Sequence, residues 1–177
     1  DSRRVGGVIY VISNEYDHGY WWGPWVRSSA ELDISSASMD IREDSKEDPR
    51  THVSSIGFLE PESIGLVDEV VIEGNAGMVY ASSFAIYIPQ PNYDYSDPMT
   101  RFVYVDISDP GGKIAVRGDV TLPGLLMDRY QMDHYKGMFR AVTQIWPSTR
   151  FFDDLPMSTL YVVDARNPDK LKRISSL

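Results

Sequence analysis

Three of the four tryptophans of this chain fall between positions 21 and 25, in the run Tyr20-Trp21-Trp22-Gly23-Pro24-Trp25. Planar indoles on a loop can stack against sugar rings or anchor a protein partner. The same run can equally serve as an apolar plug over the core. Asp17 and His18 lie just upstream and would line the same mouth. Asp17, His18, Tyr20, Trp21, Trp22 and Trp25 are therefore the candidate ligand-binding residues. A second candidate is Asn92 to Pro98, where Asp94 and Asp97 could offer oxygens to Ca²⁺. The pattern Asp-x-x-Asp-Pro recurs at Asp106 to Pro110, however. That recurrence favours turn chemistry, in which aspartate side chains accept from nearby backbone N–H groups. The three histidines, His18, His52 and His134, show no spacing that would make a zinc site.

Other chemistries are excluded or unsupported. Without cysteine the chain has no disulfide, thiolate metal site or cysteine nucleophile. Glycoside hydrolysis needs two carboxyls about 5–10 Å apart across a cleft, and among 26 acids any pair could be nominated. No nucleophile elbow, catalytic Ser-His-Asp order or phosphate-binding glycine loop is present; Gly111-Gly112 and Gly74 to Gly77 read as turns. No cofactor is implied. The net charge of −9 argues against nucleic acid as a partner. No apolar run approaches the roughly 20 residues that span a bilayer, so membrane insertion is not expected.

The elements that must position these residues are strands. Val8-Ile9-Tyr10-Val11-Ile12 is β-branched and aromatic, and 67–72, 78–82, 84–88, 101–107, 113–120, 137–143 and 159–164 read likewise. Breakers suited to turns separate them, among them Asp109-Pro110-Gly111-Gly112 and Tyr135-Lys136-Gly137. The segment 28–50 differs. It is serine-rich, with seven acids against three bases, and reads as a solvated insertion that could hold one short helix or a strand around Met39 to Arg42. Tyr10, Val11, Val79, Tyr80, Ile86, Val103, Val105, Phe139, Ala141, Tyr161 and Val163 are the expected core.

The chain repeats itself. Val105-Asp106-Ile107-Ser108-Asp109-Pro110 aligns with Val163-Asp164-Ala165-Arg166-Asn167-Pro168, an offset of 58 residues. Each copy follows an aromatic-containing strand and precedes a lysine-containing one. Strand, turn and strand at such a period is how a propeller blade recurs, with insertions lengthening the usual roughly 40–50 residues. The expected fold is all-β: one domain over 1–177, a partial β-propeller of about three to four blades of antiparallel strands, with the acidic insertion at 28–50.

Asp1 to Asn14, Met78 to Ser82 with Ile86-Tyr87-Ile88, and Met132-Asp133 with Gly137 to Thr143 carry a resemblance. The chain resembles a secreted β-propeller domain family of bacteria and archaea, distantly related to WD-40 repeats. Departures occur at His134, where the family pattern has glutamate, at Asp128, where it has asparagine, and at Val142, which splits an Ala-Thr pair. The resemblance implies a fragment of a longer propeller, in an extracellular, cell-surface or periplasmic setting. Arg140 is central to the most specific stretch and reads as structural, paired with Asp128 or Asp133.

These observations give a non-catalytic extracytoplasmic propeller segment acting as a binding or scaffold module, with a protein or a glycan as partner. The alternative is a carbohydrate-active or carbohydrate-binding domain that uses the tryptophan-rich loop 20–25. Both chain ends fall inside patterned strands. The terminal strands are therefore expected to self-associate by edge pairing or to be completed by the rest of a parent chain.

Overall fold

The computed structural model describes residues 2–15, 49–58, 64–94, 96–146 and 157–177. Among these residues twelve strands form three four-stranded antiparallel sheets in which each strand pairs with its sequence neighbours. The first sheet holds β1 (Ser2–Val5), β2 (Val8–Glu15), β3 (Arg50–Gly57) and β4 (Gly65–Glu73). The second holds β5 (Tyr80–Ala81), β6 (Ala85–Asn92), β7 (Met99–Asp106) and β8 (Ala115–Pro123). The third holds β9 (Met132–Tyr135), β10 (Met138–Ile145), β11 (Met157–Asp164) and β12 (Lys172–Ser176). Helix among the described residues is confined to one 3₁₀ turn, Arg129–Gln131. This is the all-β, partial-propeller architecture that the strand pattern predicts.

The sheets stack face to face, and the sequence shows why. In β6 and β7 adjacent residues are apolar, the mark of a strand covered on both sides. Ile86, Ile88, Val103 and Val105 join Val8, Tyr10, Ile12 and Val53 in one core, between the first and second sheets. Ala85, Tyr87, Phe102 and Tyr104 join Phe139, Ala141, Tyr161 and Val163 in another, between the second and third. The outer sheets alternate instead, as one-sided burial requires. Two expected core residues are corrected accordingly. Val11 points to the far face of the first sheet and is half-buried, and Tyr80, on the two-residue strand β5, is half-buried as well.

The repeat is threefold, and it is longer than the one legible in the sequence. Residues 98–110 and 156–168 both run from proline to proline, and 49–61 (Pro49-Arg50-Thr51 to Glu60-Pro61) is a third copy. At matching positions the N–H groups of Phe58, Ile107 and Ala165 donate to the carbonyls of Gly7, Phe84 and Gly137, at 3.1, 2.9 and 2.8 Å. The second and third turns are built alike. Asp106 and Asp164 accept from the backbone of Ser108 and Arg166, and Asp109 and Asn167 from that of Gly111 and Asp169. At the other end of the third strand, Thr51 and Thr100 are fully buried and donate to the carbonyls of Gly74 and Gly124.

Each turn also clips its sheet to the preceding one. Ser55 Oγ donates to Gly112 O at 2.6 Å, and Asp68 Oδ2 accepts from Ile114 N–H at 2.9 Å. One sheet later, Arg117 grips Asp169 through two N–H···O bonds of 2.7 and 2.8 Å. The turn backbone presses on β8 there: a Cβ at Gly118 would lie 2.5 Å from the Pro168 carbonyl oxygen. β4 and β8 share an outward, mostly exposed pattern, and β12 is exposed throughout. The first strands, β1, β5 and β9, are short and occupy the opposite edges of the sheets.

Two substitutions test this packing. Phe139 is fully buried with its ring stacked on Tyr87, centroids 3.9 Å apart and planes within 7°. Phe139→Ala is expected to cost about 3–5 kcal/mol in urea unfolding; a loss below about 1 kcal/mol would contradict the second core. Gly118→Ala adds one methyl against backbone that cannot swing aside, and should destabilise by roughly 1–3 kcal/mol. A neutral outcome would mean that the Pro168 turn does not rest on β8.

Candidate functional site

The first strands of all three sheets meet at one hollow of about 260 Å³. Ser2 comes from β1, Val79, Tyr80 and Ala81 from β5 and the residue before it, and Arg129, Tyr130 and Met132 from the 3₁₀ turn and the start of β9. Residues some 130 positions apart in sequence thus line one wall, because each sheet turns its first strand toward the same line.

The Arg129–Tyr130 corner is held by local capping. Asp128 Oδ1 accepts from Tyr130 N–H at 2.9 Å, while Gln131 Oε1 accepts from Asp128 N–H at 3.1 Å and Met127 N–H at 2.8 Å. This reciprocal capping box leaves the two side chains projecting. The Arg129 guanidinium lies 5.2 Å from the Tyr130 ring centroid, and it makes no ion pair with any described residue. Tyr130 is 82% exposed, whereas Met132 at the base is buried.

Behind the hollow sits a polar pair inside the second core. The Tyr87 hydroxyl and His134 Nδ1 are 2.8 Å apart, so the phenol donates to the ring when the histidine is neutral with its proton on Nε2. The backbone N–H of His134 donates to the Tyr80 hydroxyl at 3.1 Å. Burial pushes the Tyr87 phenol well above its ordinary range and pulls His134 below the ordinary histidine value. On the far face of the first sheet His52 behaves oppositely. It meets Glu15 at 3.0 Å and Glu69 at 3.3 Å, and hydrogen bonding to Glu15, then to Glu69, raises its pKa.

The sequence candidates fall elsewhere. Asp17, His18, Tyr20, Trp21, Trp22 and Trp25 all lie outside the described residues, as does 28–48 of the acidic insertion; its last residue, Arg50, opens β3. Asp94 Oδ1 accepts from both the backbone N–H and the hydroxyl of Ser96, at 2.9 and 2.7 Å, and these bonds hold its carboxyl below the usual range. Asp97 follows in the same turn, and no group of three or more potential metal ligands occurs among the described residues. Arg140 pairs with Asp133, its cross-strand neighbour, and both side chains are about half-exposed on the far face of the third sheet. Asp128, the other nominated partner, caps the 3₁₀ turn instead.

Ser2, Arg129 and Tyr130 were not singled out by their sequence pattern. The local trace of the last two is Asp128-x-x-Gln131 just ahead of a strand, a capping-box signature. A family model described as a β-propeller domain matches residues 1–177. No curated protein and no solved structure matches the chain.

The two described histidines give opposite pH responses. The fold resists protonating His134, so stability declines as pH drops from about 6.5 toward its lowered folded value. The His52 contribution is fully present below about 6.5 and is lost as pH rises through its raised folded value. An NMR titration should find the His134 ring titrating below, and the His52 ring above, about 6.5. Relative to the parent, His134→Gln should gain in urea midpoint as pH falls from about 7.5 to 5.5. Parallel pH slopes, or the reverse titration order, would contradict the Tyr87–His134 geometry.

Proposed function

The chain belongs to the β-propeller domain family, and we propose that it is a non-catalytic extracytoplasmic binding module that receives its ligand at the hollow shared by the three first strands. The convergence of Ser2, Tyr80, Arg129 and Tyr130 from three sheets carries this reading. What they offer is recognition chemistry: a cation with no carboxylate partner among the described residues, two phenols and a short apolar wall of Val79, Ala81 and Met132. A guanidinium beside a tyrosine ring suits a planar anionic group, which it can meet with two parallel N–H donors. At 260 Å³ the hollow lies just below the roughly 300–1,000 Å³ typical of sites for drug-sized ligands. It therefore fits a single acidic ring or an acidic side chain of a partner protein. The extracytoplasmic setting rests on the family resemblance carried by the terminal and Met132–Thr143 stretches.

Titration with glucuronate, followed by amide NMR shifts, tests the site. Saturable shifts should cluster at Tyr80, Ala81 and 129–132, whereas glucose shifts them weakly. A charge-assisted hydrogen bond contributes about 1.5–3 kcal/mol, so Arg129→Ala should weaken binding roughly tenfold or more. Scattered or non-saturable shifts, or affinity unchanged in Arg129→Ala, would overturn the reading.

A further inference from the structure

The hollow is walled by backbone as well as by side chains, and the strand ladder shows which backbone groups are open. Ser82 N–H donates to the Ala85 carbonyl at 2.8 Å, so these two residues form a hydrogen-bonded pair of the β5–β6 hairpin. Hydrogen-bonded and open pairs alternate along an antiparallel ladder. The next pair, Ala81 and Ile86, is therefore open, and the Ala81 N–H and C=O point away from β6. The β6–β7 ladder agrees. Ile107 N–H donates to the Phe84 carbonyl, and the same alternation turns the backbone groups of Ile86 toward Val105 of β7. Ala81 thus presents a donor and an acceptor along the outer edge of β5, at the wall of the hollow, with no partner for either among the described residues.

The other first strands differ. β1 carries Arg3 and Arg4, and β9 carries Asp133, charges of the kind that guard strand edges. On β9 the His134 N–H is already taken by the Tyr80 hydroxyl. The stretch Met78-Val79-Tyr80-Ala81 has neither a charge nor a proline. An unguarded edge with an open donor and acceptor is a template for an added strand. An extended peptide meets both groups in register, which a sugar acid does not.

We infer that the hollow takes an extended peptide, which pairs with β5 through Ala81 and carries an acidic side chain to Arg129. This rests on the reading of the hollow as a site for an anionic group, and it names the ligand class. The strand period places the acid. Val79 and Ala81 pack toward the first sheet and Tyr80 toward the third, the side from which Arg129 and Tyr130 enter. In an added strand the residue opposite Ala81 faces the first sheet, as Ala81 does, and its two neighbours face the third. The acid therefore stands next to the residue that exchanges hydrogen bonds with Ala81.

The blocked peptide acetyl-Thr-Glu-Ala-Glu-Thr-amide tests this, because its central alanine has an acid on each side and so suits either strand direction. NMR shifts and amide hydrogen exchange of the 177-residue chain read its binding. The Ala81 amide should exchange fast in the free chain and about tenfold or more slowly at saturation. Replacing both glutamates of the peptide by glutamine should weaken binding about tenfold. Methylating the nitrogen of its central alanine removes one donor, keeps both charges, and should also weaken binding about tenfold. Arg129→Ala should weaken the peptide and glucuronate alike. Glucuronate binding without peptide binding would overturn the peptide inference and leave the anion site standing. Equal affinity of the methylated peptide, or an Ala81 amide that is slow in the free chain or unaffected by the peptide, would do the same. Failure of both ligands to bind, or peptide affinity unchanged in Arg129→Ala, would overturn the inference together with the reading it rests on.

Discussion

A sheet that is apolar on both faces cannot be covered by anything within itself, and the second sheet is one. Neighbouring residues Ile86 and Tyr87 are both fully buried, one toward each side. The constraint is sharpest at Tyr87, which carries a hydroxyl into the apolar interior between two sheets. A buried phenol without a partner would cost several kcal/mol in an environment where nothing accepts its proton. His134 meets that need from β9, while Phe139 and Tyr104 pack the ring by stacking and by edge. Fixing His134 fixes the height of β9, and its backbone then holds the Tyr80 hydroxyl. The Arg129–Tyr130 corner just upstream is placed by the same bond. The core therefore determines where the hollow opens.

What was legible in the sequence follows from this arrangement. Strands covered on both faces, β6 and β7, appear as continuous apolar runs, but β2 and β11 carry equally apolar runs at 8–12 and 160–163 although their burial alternates. β3 was hidden because its buried positions include Thr51 and Ser55, whose hydroxyls satisfy the Gly74 and Gly112 carbonyls rather than filling space with hydrocarbon. The third copy of the repeat was hidden because, around its turn, only the proline is common to all three, Glu60 standing where the others have Asp109 and Asn167. The hollow was illegible for a different reason. Its residues are local neighbours only after three sheets have stacked, so no window of sequence contains it. Only the capping box at Asp128 and Gln131 left a local mark.

The repeated turns do one job by different means. Between the first and second sheets the clip is a hydroxyl and a carboxylate meeting backbone, with Tyr10 reaching the Ile107 carbonyl at 3.4 Å. Between the second and third it is an exposed arginine–aspartate grip over a glycine, with Tyr87 reaching a histidine. Such non-interchangeable contacts on a common backbone frame penalise the wrong neighbour as well as rewarding the right one. Sheets of similar shape are thereby kept in order.

The hairpins joining second to third strands differ in one respect that the turns do not. Those connections span 16–49, 93–98 and 146–156, whereas the third-to-fourth turns of the second and third sheets are built on the same bonds. Strand direction alternates within a sheet, so all three of the variable connections emerge at one end of the stack. Links between sheets are found at this end too, where Gln90 Nε2 donates to the Glu73 carbonyl and Leu125 pairs with Gln144 through two backbone hydrogen bonds. The three connections differ in length while the strands they join keep one pairing pattern, so length varies there without disturbing either core. New surface, including a cluster of tryptophans, can be tried at little thermodynamic risk on a frame that is already paid for.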